Sequence, residues 1–372
     1  MEATELLGVK PATLYTYVSR GLVGRVPSQT GRGSRYSRAD VLRLRDRKES
    51  RSASAAAPGG PLRWGQPVID TEVGAVDRRG PIYRGALATD LAERGVFFEW
   101  VVDRLLGVEH EPWNLFARAP LRERRGGAST GFLDRMLAAI TAAGADDPHR
   151  HVPGRDASRV RQVLGLLASC IPGIAEAPRP DLDRALVLVA DHGLNASTLS
   201  ARVTASTGAD LYACVISGLA TLSGPRHGGA GARVGALLAE CQRRGSAEAL
   251  RDRLGRGESL PGFGHPLYPE GDPRFGPLLA LAQRLAPSDP TVLASSDLAR
   301  AAIDAGYQQP NLDLGLVTAS SALGLGPEAA IGLFALGRAA GWMAHALEQQ
   351  AAGWMLRPRS RYVGPTVTAL TE

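Results

Sequence analysis

Lysine is nearly absent from this chain. It occurs at Lys10 and Lys48 and nowhere from residue 49 to residue 372. That excludes a phosphate-loop lysine, a Schiff-base lysine and a lysine general base from most of the chain. Phosphate bound there must rely on arginine or on backbone N–H groups. Cysteine is also scarce. Cys170, Cys214 and Cys241 are too few in 372 residues for a disulfide scaffold, and each sits among apolar neighbours. They read as buried, reduced thiols. No cationic N-terminus precedes an apolar run, and no stretch of ~20 apolar residues is free of charge. A cytoplasmic protein without a membrane partner is the expectation. Disorder is excluded, because 44% of the residues are hydrophobic.

The formal charge of +6 is unevenly spread. Residues 1–51 carry eleven basic and five acidic side chains, which accounts for the whole excess; the remainder holds 32 of each. A basic small module joined to a neutral large one points to a polyanion partner for the small one.

Residues 2–7 and 11–19 read as short helices, with Pro11 at a first helical position. A Gly/Ser/Arg loop from Thr30 to Ser37 leads into a helix from about Arg38 to Lys48, with Ser37 as its N-cap. Residues 49–62 (ESRSASAAAPGGPL) are small, polar and rich in Pro and Gly, a linker that extends to about residue 66. Residues 68–82 form a short turn-rich β stretch. Ala/Leu-rich segments of helical period follow at 85–94, 97–106, 131–143, 157–170, 182–190, 195–205, 210–222, 228–244, 246–255, 276–286, 291–304, 314–323 and 327–352. No β alternation is sustained, so residues 67–372 read as an all-α domain.

Seven histidines occur. His110, His149 and His151 have polar neighbours and read as surface residues. The others stand in more informative company: His192 in VADHGLNAST, His227 in SGPRHGGAG, His265 in PGFGHPLYPEGDPR and His345 in GWMAHALEQ. Glycine lets a ligand approach the backbone closely, and helix ends offer free N–H groups. No HExxH or CxxC spacing supports a metal, and no GxSxG elbow supports a serine hydrolase. Arg338 lies in a strongly apolar segment and needs an anion, either a protein carboxylate or a ligand. With Arg274 and Arg357 it suggests a site for a small di- or tricarboxylate. Asp313, in PNLDLGL, is an acid in an apolar stretch, suited by burial to proton transfer.

These motifs resemble a family. DHGLNAST, GPRHGGA, GFGHPLYPEGDPR, PNLD, GRAAGWMAHALEQ and RPRSRYVGP look like the successive signatures of citrate synthases across about residues 68–365. The N-terminal TELLGVKPATLYTYVSRGLV and GRGSRYSRADVLRLRDRKE resemble a MerR-type winged helix-turn-helix over residues 1–48. The resemblance implies an all-α citrate synthase fold with a large and a small subdomain (about 229–323), forming a homodimer. It implies that Asp313 takes a methyl proton from acetyl-CoA, that His227 stabilises the enolate oxygen, and that His265 polarises the oxaloacetate carbonyl. His192, Arg274 and Arg338 would bind oxaloacetate, with Arg357 crossing from the partner subunit. Gly262, Phe263 and Gly264 would touch CoA, which is a co-substrate; no metal or further cofactor is implied. Lys10, Thr13, Tyr15, Tyr17, Arg20, Arg32 and Arg35 would contact double-stranded DNA, with a protein-docking module as the alternative. The chain departs from the family at Pro266 and Pro269, where Arg and Lys are usual, and at Leu314-Gly315, where an aromatic pair is usual. Three activities stay open: citrate formation, 2-methylcitrate formation from propionyl-CoA, and ligand sensing by a DNA-binding regulator.

Overall fold

A computed structural model describes residues 3–7, 9, 11–19, 23–27, 34–37, 40–41, 69–117, 131–152, 154, 156–358 and 364. The linker expected over 49–66 lies outside them, apart from which the chain divides into two compact units, Met1–Asp70 and Thr71–Glu372.

In the first unit, α1 (Ala3–Leu7) and α2 (Pro11–Ser19) precede a hairpin of β1 (Arg25–Pro27) and β2 (Ser34–Tyr36). The two strands pair antiparallel, Arg25 opposite Tyr36. Leu7, Leu14, Val23 and Val41 bury a small core. Ser37 Oγ accepts from Asp40 N at 3.3 Å, the N-cap expected there, and Asp40 and Val41 are helical.

The second unit opens with a three-stranded antiparallel sheet, β3 (Gly74–Asp77), β4 (Gly80–Tyr83) and β5 (Ala86–Leu87). The rest of its described regular structure is helical: α3 (Ala88–Glu93), α4 (Phe98–Leu106), α5 (Phe132–Asp146), α6 (Asp156–Ser169), α7 (Arg179–Val189), α8 (Ala196–Ala205), α9 (Leu211–Leu222), α10 (Ala230–Arg244), α11 (Ser246–Gly255), α12 (Phe275–Leu285), α13 (Pro290–Asp304), α14 (Leu312–Ala322) and α15 (Ala330–Ala352). Residues 86–87, expected to lie in the first turn of a helix, instead complete the sheet after a turn at Gly85, and a 3₁₀ turn at Pro327–Ala329 occupies the expected start of α15.

Local chemistry fixes the helix starts. Asn195, Asp210, Asp289 and Asn311 each accept a backbone N–H from the first turn of α8, α9, α13 and α14. Pro290 sits at the first position of α13, where its missing N–H costs nothing. At the other end, Gly107 (φ 72°) closes α4 in the left-handed conformation that L side chains avoid.

α15 is the axis of the unit. It is long and apolar enough to cross a membrane, yet it is largely buried in the chain's own core. It packs against α4, α5, α6, α7, α8 and α9. Two glycines permit the closest crossing. A Cβ on Gly337 would stand 2.5 Å from Val189, and one on Gly341 would stand 2.6 Å from the Ala190 carbonyl. Helices α10 to α14 pack mainly on one another and meet the rest through α12, α14 and the turn before α15. The three cysteines are free and buried. Burial pushes the Cys170 and Cys214 thiols up to about 11 and about 12, which leaves them unreactive.

Candidate functional site

The site assembles where α15 passes the starts of α8, α10 and α14. Asn311 caps α14 through Asp313 N (2.9 Å) and places the Asp313 carboxyl in its first turn. His227 sits in the turn between α9 and α10, with Gly228 N bonded to the Leu222 carbonyl. A Cβ at Gly228 would stand 2.2 Å from that carbonyl, so the turn demands glycine. Asp313 and His227 line one cleft of about 310 Å³, whose walls include Gly231, Val317, Ile331 and Phe334. Burial pushes the Asp313 carboxyl up to about 6, with Arg274 pulling the other way. Burial pushes His227 down to about 4, so its imidazole is neutral at pH 7.

Ser197 orients that imidazole. Its Oγ lies 2.8 Å from His227 Nε2 and 2.9 Å from Asn195 Oδ1, and it accepts from Trp342 Nε1 at 3.1 Å. With its single hydroxyl proton given to Asn195 Oδ1, Ser197 accepts from the Nε2–H of His227 and fixes the ring in one orientation.

A second cluster stands beside it. His192 Nε2 is 2.8 Å from the Tyr268 hydroxyl, and the His192 and His265 rings meet edge to face at 5.5 Å. His265 Nδ1 accepts from Leu267 N at 3.1 Å, so the ring proton is on Nε2, free to donate to a ligand. Burial first, then Arg274, holds both imidazoles below their ordinary range, His192 far below it. Both are therefore neutral donors rather than cations. Gly264 N bonds Gln309 O (2.8 Å), Asn311 N bonds Gly262 O (2.9 Å), and Asn311 Nδ2 bonds Gly264 O (2.9 Å). These bonds tie the His265 loop to the Asp313 loop.

Two arginines complete the centre. Arg274, 2% exposed, is held bidentately by Asp272 at 2.9 and 2.7 Å. Arg338, 1% exposed, bonds the Val189 carbonyl at 2.8 Å and lies over the Phe334 ring at 4.5 Å. Among the described residues no carboxylate lies within 4 Å of it. Burial pushes its pKa down to about 10, opposed by the Asp191 charge. Of the two partners open to Arg338 from the sequence, a ligand anion fits and a contacting protein carboxylate does not.

Other expected site residues fall elsewhere. Arg357 is exposed on the segment after α15. Phe263 is 7% exposed and packs on Tyr307, so its side chain is not offered to CoA as expected. Gly262 and Gly264 are accounted for by the loop pairing above. In the first unit, Tyr15 is 56% exposed. Thr13 is half-buried, and Tyr17 packs on the small core rather than standing free for a base contact. Arg35 lies on β2; its side chain, with Lys10, Arg20 and Arg32, lies outside the described residues. Ser197, Tyr268, Asp191 and Asp272 are site members that motif reading passed over, although three of the four are direct or near neighbours of a chosen histidine or arginine. A second cleft of about 600 Å³ holds Arg84, Trp100 and Arg104, but these guanidinium groups bond the carbonyls of Leu105, Tyr83 and Arg84 and act as a structural latch.

Comparison with known proteins follows the same outline. The family "Citrate synthase, C-terminal domain" matches residues 121–359, and the MerR HTH family regulatory protein family matches residues 1–52. Citrate synthase of Haloferax volcanii is 39% identical over 193 residues, 49% of each chain. The 2-methylcitrate synthase of Shewanella oneidensis is 33% identical over 190 residues, 49% of this chain and 50% of that one. The chain spans about half the length of the curated relatives it matches. In fold it is similar to citrate synthase of Thermoplasma acidophilum in ternary complex with carboxymethyl coenzyme A and oxaloacetate (TM-score 0.69, 22% identity, 87% of this chain and 98% of that one). It is similar also to the Thermotoga maritima citrate synthase (TM-score 0.66, 24% identity, 83% and 96%). With the family matched over well more than half of its length, this chain belongs to the citrate synthase family.

Proposed function

We propose that this chain condenses acetyl-CoA with oxaloacetate and water to give citrate and CoA. The observation that carries the reading is Asp313 and His227 facing one cleft, with Arg338 buried nearby without a contacting carboxylate.

A thioester methyl is weakly acidic, and its deprotonation needs a base and an oxygen site acting together. Asp313 takes the proton; a carboxyl raised to about 6 is a stronger base than an exposed one and is still ionised at pH 7. His227, a neutral imidazole lining the same cleft, stabilises the thioester oxygen as charge develops there. The enol carbon then attacks the oxaloacetate carbonyl, whose oxygen is polarised by the Nε2–H of His265. His192, Arg274 and Arg338 fix the keto-diacid by hydrogen bonds and charge. Water cleaves the resulting thioester, releasing CoA. Movement of α10–α14 against the remaining helices would shield the enol from water. Arg357 completes the site from the partner of a homodimer, a role its exposure allows. In the absence of lysine, other arginines meet the CoA phosphates.

A second acyl donor, propionyl-CoA, is favoured by one observation: Leu314-Gly315 follow the base where bulkier aromatics are usual, and one methylene is discriminated by only about 1–3 kcal/mol. Residues 1–52 are read as a DNA-binding module, supported by the basic charge and the helix–helix–hairpin order. The test is CoA-thiol release from acetyl-CoA and propionyl-CoA in the presence of oxaloacetate. Release with either donor, ranked by kcat/KM, names the substrate. No release with both, while oxaloacetate raises Tm, would overturn the enzyme and leave a ligand-sensing regulator.

A further inference from the structure

We propose that His345 is a positioning residue for the oxaloacetate subsite, acting on Arg338 through Asp191. This rests on the reading that Arg338 receives a keto-diacid. His345 was conspicuous in the sequence, yet no step of the mechanism uses it.

The three groups are buried almost completely: His345 0%, Asp191 1% and Arg338 1% exposed. His345 lies on α15 two turns beyond Arg338. Arg202 Nη1 points at its Nδ1 from 3.3 Å, and the Thr71 hydroxyl lies 3.4 Å from the same nitrogen. A guanidinium is always charged and can only donate. Nδ1 therefore carries the lone pair, and the ring proton is on Nε2. That proton faces Asp191 Oδ1 at 3.4 Å. Both atoms are buried without a hydrogen-bond partner, so the approach is a charge–dipole contact across 3.4 Å. The second oxygen of Asp191 accepts from Gly193 N at 3.1 Å, in the loop that carries His192.

Arg202 is itself anchored. Its Nη1 reaches Glu348 Oε2 at 2.7 Å, and its Nε reaches Gln349 Oε1 at 3.1 Å. Glu348 thus balances Arg202. Arg338 Nε bonds the carbonyl of Val189, two residues before Asp191, so the Asp191 carboxylate stands on the same short segment that holds Arg338 and acts as its countercharge. It supports the Arg338 charge without making an ion pair within 4 Å. A contacting carboxylate would consume the guanidinium donors; a distant one keeps the cation charged and the donors open for a ligand. His345 keeps Asp191 ionised and turned to that position.

The experiment uses the full-length protein with oxaloacetate as the probe. Its Kd is measured by calorimetry, and KM for both substrates and kcat by thiol release, for wild type, His345→Ala and His345→Gln. We expect His345→Ala to raise the oxaloacetate Kd and KM about tenfold, with the acetyl-CoA KM unchanged. The glutamine amide offers an N–H near Nε2 and should recover most of that loss. Should His345→Ala fail to fold, Asp191→Asn, which preserves shape, should show the same selective loss. An unchanged oxaloacetate Kd, equal losses in both KM values, or no recovery with glutamine would overturn the proposal. Absence of oxaloacetate binding by the wild type would overturn the functional reading itself, before any variant is compared.

Discussion

Arg274 and Arg338 are both buried beside the same histidines and meet their charge in opposite ways. Arg274 is clamped by Asp272 through two hydrogen bonds, whereas Arg338 has a carbonyl, an aromatic face and no contacting carboxylate. The first is a finished structural pair with one nitrogen to spare; the second is an anion site. Arg338→Gln should therefore raise the oxaloacetate Kd by at least about 30-fold, since a charge-assisted pair with a desolvated carboxylate is lost. Arg338→Lys should not restore it, because an ammonium lacks the planar fork. Calorimetry with oxaloacetate alone checks both.

Asp313 supplies the second expectation. Asp313→Asn should lower kcat by about 10²- to 10⁴-fold and leave oxaloacetate binding intact. It should also stabilise the apo protein. Burial holds the folded-state pKa at about 6, above the ordinary 3.8, so the fold favours the protonated form. Stability is gained as pH falls through about 6 and is missing at pH 7, where the carboxylate is charged. An uncharged amide removes that cost, on the order of 1–2 kcal/mol, and Tm at pH 7 should rise.

The pH profile follows from the same groups. The base works ionised, so kcat should fall about tenfold per pH unit below about 6. His227 and His192 are pushed far enough down to stay neutral above that point, and burial pushes His265 down as well. The profile should have one acid limb and then run flat through neutrality. A second limb near pH 7 would assign a charged imidazole to the mechanism.

Ser197→Ala removes the hydroxyl that sets the His227 tautomer while keeping the helix start. Because Ser197 touches no substrate in this reading, the loss should appear in kcat, by about 10- to 100-fold, with both KM values little changed. Steady-state kinetics separates this from a packing defect, which would also lower Tm.

A lysine-specific protease can cut this chain only after Lys10 and Lys48. The fragment from residue 49 onward should retain full thiol-releasing activity and lose affinity for duplex DNA. Fluorescence anisotropy on labelled DNA at two salt concentrations reads the second outcome. DNA binding that persists in the fragment would place the nucleic-acid surface outside the first unit.

Much of this molecule was legible before its coordinates. The segments read at 246–255, 195–205, 210–222 and 291–304 match the helices to within one residue, because asparagine or aspartate caps mark three of those four starts. His227, His265, Asp313 and Arg338 stood out because glycine, proline or an apolar run made each anomalous where it was. Ser197 did not, since a serine in the first turn of a helix is unremarkable until His227, thirty residues away, closes on it. Asp191 was hidden for the same reason: its partner His345 comes from a distant helix. The β stretch at 68–82 was read as such, and only β5 (Ala86–Leu87) blurred into the helix expected over 85–94, because it is two residues long.

α15 touches nearly every part of the centre in turn. Phe334 and Ile331 wall the cleft, Arg338 offers its charge, Trp342 holds Ser197, and His345 faces Asp191. These positions recur every three or four residues along one stripe of a helix. Insertion or loss of a single residue between Ile331 and His345 would rotate everything beyond it by about 100° and disconnect those functions together. Between Ile331 and His345 this helix therefore tolerates replacement but not a change of length.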